Sequence, residues 1–469
     1  MASRALASKV ISLLADRSSR NGLLSLAQAL LTIATYFLVM RQVVIVLGLE
    51  ALGLWSLTMS LVAFVRMLDL GLAHIPARMV ASKTGDELAQ ARVVDSTAFA
   101  GLGAFVIMGI ASFFALRPVL LGSLEPELHA DAISLLLGIV AVLPLNTLAL
   151  VHLGAIDGIG RADIRALVAI AGLFLYAGAA LLLIHPYGIM ALVYAQLAQH
   201  SLALVAARVL LCSRIAPLGL FPVRFSRSAL VEAASFGVRV QLSTLPMALF
   251  DPLCRLLIGR SAGLEMLAIY ELASKFAAST RTLVQAFANP ILPELARLLV
   301  EDSAAARARY SASQTIISSL GLLVSTLQII ALPMVSFLLL GSFDAAFILV
   351  SAVLSLAWGG TCIGLVPQLY ARAAGRLRHA MIGQWLLLAL GWLLVSLAGF
   401  LRDELWMLIA PGLAVLIGHL VAFVGEVRHF GLNPLGNGAA YRIVWMVFAL
   451  TMVASAAIAL SIMAIEASS

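Results

Sequence analysis

Five basic residues interrupt long apolar segments of this 469-residue chain, and their type suggests a site for an anion. They are Arg66, Arg239, Arg255, Lys275 and Arg281. An ionised side chain at the centre of a membrane helix costs about 2.5–3.5 kcal/mol, so it is kept where it faces a water-filled cavity or a partner. The planar guanidinium of arginine forms bidentate hydrogen bonds with phosphate oxygens. The five residues therefore predict a transporter with a cationic cavity for an anionic ligand.

Two acidic residues in the same segments leave a structural interpretation open. Asp251 precedes Arg255 by four residues, and Glu271 precedes Lys275 by four. This spacing brings the two side chains of each pair together on one helix face. The pairs are therefore candidates either for coupling and gating or for holding helices together. A further acid, Asp69, leaves three acids against five bases, which favours an anionic ligand over a cationic drug.

Arg66 and Arg281 share a predicted depth in the inner half of the membrane. Arg66 lies about fifteen residues from the outer end of its span, or about 22 Å along a helix. Asp69 follows it by three residues and shares its helix face, so Asp69 is a candidate gating residue. In the alternative interpretation, both arginines extend toward the cytoplasmic headgroups, as long basic side chains do near helix ends.

Arg239 has no acidic residue one helical turn away, and an unpaired arginine in lipid is costly without a ligand. Pro246 and Pro252 follow in the same segment. Proline removes a backbone hydrogen bond and bends a helix. The segment therefore combines a candidate substrate-binding residue with two candidate gating positions.

Composition places these residues in a membrane protein. Hydrophobic residues make up 62% of the chain and charged residues only 11%, whereas soluble domains average about 25% charged residues. Thirteen segments are long enough to cross a hydrocarbon core of about 30 Å as helices, which predicts an all-α fold with 12–14 transmembrane helices. The segments are 22–40, 51–74, 96–116, 132–156, 166–184, 187–207, 232–258, 266–293, 310–343, 345–371, 380–401, 405–425 and 443–465.

Loop charges set the predicted orientation. Of the 30 lysines and arginines, five lie within spans, four in outer loops and 21 on the inner side when the N-terminus is cytoplasmic. Basic loops stay in the cytoplasm, so the N-terminus is predicted to lie there. The net charge of +7 is mostly this signal and does not indicate a nucleic-acid partner. Residues 1–20 are predicted to form an amphipathic segment on the cytoplasmic surface.

The chain divides into two similar halves. Gly48-Leu-Glu precedes Trp55, and Gly263-Leu-Glu precedes Tyr270, an offset of 215 residues that also carries Arg66 onto Arg281. Six helices per half return the chain to its starting side, so the repeats are predicted to be parallel, with the substrate site at their interface. The predicted parts are a six-helix bundle at 21–207, a cytoplasmic linker at 208–228, a second bundle at 229–427 and an extra helix at 441–465.

Several function classes have no sequence support. The chain lacks a phosphate-binding GxxxxGK[ST] loop, which excludes ATP hydrolysis by it. His152, His200 and His419 each stand alone on an apolar helix. Histidines in this setting are expected to be packed side chains and not metal ligands, so no metal or other cofactor is expected. A membrane glycosyltransferase or polymerase would need a sizeable outer loop or paired catalytic carboxylates, and neither is visible, so no catalytic residue is assigned.

Two groups of motifs resemble the polysaccharide flippases of the MATE-like superfamily. Leu47-Gly-Leu-Glu-Ala-Leu-Gly-Leu-Trp-Ser56 is followed by Leu68-Asp-Leu-Gly-Leu72, and Ala268-Ile-Tyr-Glu-Leu-Ala-Ser-Lys-Phe276 is followed by Asn289-Pro-Ile-Leu-Pro293. The resemblance implies a V-shaped pair of six-helix bundles whose first, second, seventh and eighth helices line a central cavity. Three of those four helices are the charge-bearing segments. The first is a departure, because residues 22–40 carry no charge.

The resemblance implies a function in surface-glycan synthesis. The expected activity is alternating-access transfer of an undecaprenyl-pyrophosphate-linked oligosaccharide, such as an O-antigen or exopolysaccharide unit, across the bacterial inner membrane. Expected partners are that lipid-linked glycan, membrane lipid and a polysaccharide polymerase or chain-length protein, and no nucleic acid. The alternatives are a multidrug or small-solute cation-coupled antiporter of the same fold and a flippase for a lipid II-type peptidoglycan precursor.

Overall fold

The computed structural model describes residues 17–66 and 75–434, together with Met446 and Ala449. For residues 17–23, 25, 229 and 233–244 only the backbone is described. Asp69, most of the predicted segment 1–20 and the predicted helix 441–465 apart from those two residues lie outside the described part. The side chain of Arg239 lies outside it as well.

The described chain is built from α-helices and turns, with no strand in its two long ranges. The helices are α1 (Arg17–Arg66), α2 (Ile75–Ser82), α3 (Glu87–Leu121), α4 (His129–Gly158), α5 (Ala162–Tyr187), α6 (Met190–Cys212), α7 (Arg227–Ser261), α8 (Gly263–Ala288), α9 (Ile291–Glu301), α10 (Ser303–Leu340), α11 (Ala345–Thr361), α12 (Leu365–Ala373), α13 (Arg378–Leu401) and α14 (Glu404–Phe430). Short 3₁₀ turns lie at Pro126–Leu128 and Cys362–Gly364. The predicted all-α class is confirmed.

Within the described ranges, nine helices are long and apolar enough to cross a membrane, or ten if α8 and α9 form one bent span. The protein is therefore a multi-pass membrane protein. The helix α7 is only partly described, and the predicted total of thirteen spans stays a prediction. The α7 helix continues without a break through Pro246 and Pro252.

Aspartates fix the starts of several helices. Asp86, Asp302, Asp344 and Asp403 each precede a helix and accept backbone N–H groups from its first turn. The first N–H groups of a helix have no partner within the helix, and a short acidic side chain satisfies them while complementing the helix dipole. These caps explain why α3, α10, α11 and α14 begin where they do.

The chain packs as two compact units. Unit 1 comprises residues 1–47 and 57–245, and unit 2 comprises residues 48–56 and 246–469. Small residues allow close helix packing inside each: Gly138 of α4 lies against Val193 of α6 in unit 1, and Gly383 of α13 lies against Gly418 of α14 in unit 2. Close backbone approach drives helix association in lipid, where the hydrophobic effect is absent. The predicted bundle and linker boundaries remain predictions.

The 215-residue offset recurs in the backbone. Gly48 interrupts α1 with φ of 86°, and Gly263 begins α8 with φ of 88°. Both lie in the left-handed region that glycine adopts without steric cost. Gly53 approaches the backbone of Leu264 so closely that a Cβ at this position would collide with the Leu264 carbonyl. Segment 48–56 is thereby packed against the first turn of α8 within unit 2.

Candidate substrate cavity

A cavity of about 190 Å³ lies inside unit 2, among the helices α7, α8, α11 and α14. It contains three of the charged residues singled out in the sequence and several aromatic groups. Its lining residues are Met247, Phe250, Asp251, Arg255, Tyr270, Ser274, Lys275, Ala278, Leu354, Trp358, Pro411, Gly412 and Val415. An apolar wall with a few convergent charged groups is the usual form of a small-ligand site.

Arg255 is neutralised by two carboxylates on one wall of this cavity. Its Nη2 atom donates to Oδ2 of Asp251 at 2.6 Å, so the predicted pair is confirmed. Its Nε atom lies 2.9 Å from Oε2 of Glu271, in the geometry of an ion pair rather than an aligned hydrogen bond. Arg255 and Glu271 are buried, at 8% and 5% exposure. One guanidinium thus ties α7 to α8.

Ser56 completes this cluster from segment 48–56. Its Oγ donates to Oε2 of Glu271 at 3.0 Å, and its exposure is 1%. Sequence analysis missed Ser56, although the 215-residue offset that relates Gly48 to Gly263 carries Ser56 directly onto Glu271. The carboxylate of Glu271 therefore joins α8 both to α7 and to the segment that follows Gly48.

Lys275 lines the cavity without a carboxylate partner in the described part of the chain. The i,i+4 spacing suggested a pair with Glu271, but Glu271 is turned to Arg255 instead. The reason is geometric: a guanidinium from the facing helix gives Glu271 a buried, close ion pair, which the sequence spacing does not reveal. Lys275 is half-buried, so its ammonium keeps some access to the cavity.

Arg281, two turns further along α8, is held by neutral oxygen atoms. Its Nη1 donates to the backbone carbonyl of Thr361 at 3.0 Å, and its Nη2 to Oε1 of Gln368 at 3.1 Å. His419 on α14 lies close enough to interact with it electrostatically. An apolar cavity of about 240 Å³ adjoins Thr361 and His419. Arg281 therefore keeps a positive charge that no ion pair in the described part of the chain compensates.

Arg66, the repeat counterpart of Arg281, lies in unit 1. Its Nε is buried and has no hydrogen-bond partner among the described residues. His200 on α6 interacts with it electrostatically, as His419 does with Arg281. Each of the two related arginines thus has a histidine from a later helix of its own unit. Asp69, the predicted neighbour of Arg66, lies outside the described residues.

A buried ion pair in unit 1 escaped the sequence analysis. Arg208 of α6 donates to Oδ1 of Asp95 at 2.8 Å, and both side chains are at most 6% exposed. The other carboxylate oxygen of Asp95 accepts the backbone N–H groups of Val223 and Arg224. Arg208, the first residue of the predicted linker, lies in α6. The chain that follows α6 is fastened to α3 through Asp95.

Comparison with solved structures identifies the class of fold. An inward-facing multidrug resistance MATE transporter of the MOP superfamily matches with a TM-score of 0.75 and 17% identity, over 87% of this chain and 98% of that chain. The lipid II flippase MurJ, in an inward closed conformation, matches with a TM-score of 0.67 and 12% identity, over 93% of this chain and 98% of that chain. The chain therefore has the fold that these two structures share.

The sequence narrows this class to one family. The family model described as polysaccharide biosynthesis protein matches residues 46–347. The chain belongs to this family, so the resemblance predicted from the motifs around Trp55 and Tyr270 is confirmed. No curated protein matches the chain in sequence.

Proposed function

We propose that this protein is a flippase that moves a polyprenyl-pyrophosphate-linked oligosaccharide from the inner to the outer leaflet of the bacterial cytoplasmic membrane. Membership of the polysaccharide biosynthesis family and the MOP fold support this class of activity. The observation that supports an anionic substrate is Lys275, which lines the unit 2 cavity and has no acidic partner in the described part of the chain. Pyrophosphate is the anionic part of the substrate that such a cation would bind.

The Arg255 cluster gives a candidate for the gate of this cavity. Asp251, Arg255 and Glu271 join α7 to α8, and Ser56 adds the segment after Gly48. These contacts are few and polar. We assign them the role of a latch that has to open when the walls of the cavity move, with Pro246 and Pro252 as bending points of α7.

A cation-coupled drug antiporter of the same fold is the second candidate. It would need acidic groups that are free to bind a cation. Asp251 and Glu271 are both engaged by Arg255, so a cationic drug would have to displace a guanidinium from a buried pair. This observation favours the anionic substrate.

Binding of simple probes separates these two candidates. Purified protein in detergent would be titrated with farnesyl pyrophosphate and with tetraphenylphosphonium, an anionic and a cationic probe. We expect farnesyl pyrophosphate to bind and Lys275→Gln to weaken it about tenfold, the effect of losing one charged hydrogen bond. Lys275→Arg should retain most of the affinity. Binding of tetraphenylphosphonium that Lys275→Gln strengthens would contradict the proposal and favour the antiporter.

A lipid II-type substrate shares the polyprenyl pyrophosphate, so only the glycan distinguishes it. Deletion of the gene in its host should abolish a surface glycan and leave lipid-linked repeat units at the cytoplasmic face. Loss of cell-wall synthesis with normal surface glycan would instead assign the peptidoglycan precursor. In either case the wild-type gene, returned on a plasmid, should restore the phenotype.

The orientation follows from the distribution of basic residues. With a cytoplasmic N-terminus, a reporter fused near Arg214 should report the cytoplasm, and one near Glu125 the periplasm. The opposite readings would refute this orientation.

A polysaccharide polymerase or chain-length protein on the outer face is the partner that this transport direction requires.

A further inference from the structure

One carboxyl group in unit 2 is fully buried and has no hydrogen-bond partner among the described residues. Glu426, in the last two turns of α14, is 0% exposed, and neither of its carboxyl oxygens has a hydrogen-bond partner in the described part of the chain. The buried acids Asp95 and Glu271, in contrast, each have an arginine. An ionised carboxylate is costly to bury without a partner. The surroundings of Glu426 in this structure therefore fit its neutral, protonated form.

Among the described residues, two charged groups lie close enough to Glu426 to act on it electrostatically. They are Arg281 of α8 and Arg372 of α12. The ring of His379 on α13 packs against Gly425, the neighbour of Glu426. Cys362 lies in the 3₁₀ turn beside Arg281, and α11 carries no titratable residue. Both charged neighbours are positive, so they would attract a carboxylate at this position.

Arg281 and Glu426 are close enough to interact electrostatically, but no hydrogen bond joins them in the described structure. The guanidinium of Arg281 donates to the Thr361 carbonyl and to Gln368, both neutral acceptors. A carboxylate binds a guanidinium more strongly than a neutral oxygen does, because the attraction between opposite charges adds to the hydrogen bond. A carboxylate at Glu426 would therefore compete for the guanidinium, whereas a protonated Glu426 leaves its charge uncompensated.

We propose that Glu426 is a proton-binding site that controls whether Arg281 is available to an anionic ligand. When Glu426 holds its proton, Arg281 is free to contribute to the binding of a pyrophosphate. When the proton leaves for water near the exposed Arg372, the new carboxylate pairs with Arg281 and opposes the anion. This inference rests on the proposed function, because it takes the ligand to be anionic.

The pH dependence of probe binding tests the proposal. Farnesyl pyrophosphate would be titrated into the purified full-length protein and its Glu426→Gln variant at a series of pH values. The two proteins should bind equally at low pH, and the variant should bind at least tenfold more tightly at high pH because it cannot form a carboxylate. The probe's own ionisation affects both proteins alike. Glu404→Gln, an exposed acid at the other end of α14, should follow the wild type. If wild type and Glu426→Gln show the same pH dependence, the proposal is wrong.

Infrared difference spectroscopy of the protein alone provides a second measurement. Between low and high pH, the wild type should show the carbonyl stretch of a buried protonated carboxylic acid, and Glu426→Gln should lack it. If no protein binds farnesyl pyrophosphate at any pH, the proposed function fails, and this band decides the proton site by itself. A band that is absent from the wild type, or that persists in Glu426→Gln, would overturn the assignment to Glu426.

Discussion

Arg255 and Arg281 are the same residue type in the same unit, yet their surroundings are opposite. Arg255 is bound by two carboxylates, one of them buried, so its charge is more than compensated. Among the described residues, Arg281 donates only to a backbone carbonyl and an amide oxygen. The difference separates two uses of a buried cation: the first joins helices, and the second keeps its charge for another anion. Lys275, which lies on α8 as Arg281 does, resembles Arg281 in this respect.

The largest expected effect is on stability at Arg255. Arg255→Met removes the partner of Glu271 and leaves a buried carboxylate unpaired, which should lower the free energy of unfolding by about 3–5 kcal/mol. The double variant Arg255→Met, Glu271→Met should recover much of this loss because it buries no charge. Denaturant titration of the purified variants in mixed micelles measures both. A double variant no more stable than the single one would show that Arg255 does not act through Glu271.

A substitution at Gly53 tests the packing of segment 48–56 against α8, which positions Ser56 beside Glu271. Gly53→Ala places a methyl group against the Leu264 carbonyl, and overpacking of this kind should cost about 1–3 kcal/mol. Gly103→Ala is the matched control, because a Cβ there meets no neighbouring atom. Gly103→Ala should leave the free energy of unfolding unchanged or raise it slightly, because alanine has a higher helix propensity than glycine. Equal unfolding free energies for the two variants would contradict the close approach of segment 48–56 to α8.

At Arg281 the expected effect is on ligand binding more than on folding. Arg281→Gln loses two hydrogen bonds to neutral acceptors and should reduce the free energy of unfolding by only about 1–2 kcal/mol. It should nevertheless abolish surface-glycan export at normal protein levels. Arg281→Lys keeps the charge but not the planar fork, so it should rescue export only partly. Normal export by Arg281→Gln would remove Arg281 from the proposed site.

The smallest effect is expected at Ser56. Ser56→Ala removes one hydrogen bond to Glu271 while the Arg255 pair remains, which should cost about 1 kcal/mol. Ser213→Ala, at an exposed site, serves as the control and should change stability by less. A loss at Ser56 as large as that at Arg255 would mean that the two contacts form a single cooperative unit.

Helical periodicity was sufficient to predict the local features of the site. The Asp251–Arg255 pair follows from its i,i+4 spacing, and the relation between Gly48 and Gly263 follows from the repeat. The partner of Glu271 did not follow, because it depends on which helix faces α8. Glu426 was missed for a related reason: it lies just beyond the uncharged stretch 405–425, and only the packing of α14 buries it. The partner of Arg208 did not follow either, because Asp95 lies 113 residues away on α3 and only the packing of the helices brings the two together.

The contact between Ser56 and Glu271 has an evolutionary consequence. If the two halves descend from one ancestral gene whose product formed a symmetric dimer, these equivalent positions would have carried identical residues. Two glutamates there would have repelled each other, and two serines would have offered Arg255 no charge. In that case, fusion of both copies into one chain would have let each position change alone, with one copy supplying the donor and the other the acceptor. A complementary contact of this kind is open to a fused chain and closed to a dimer of identical subunits.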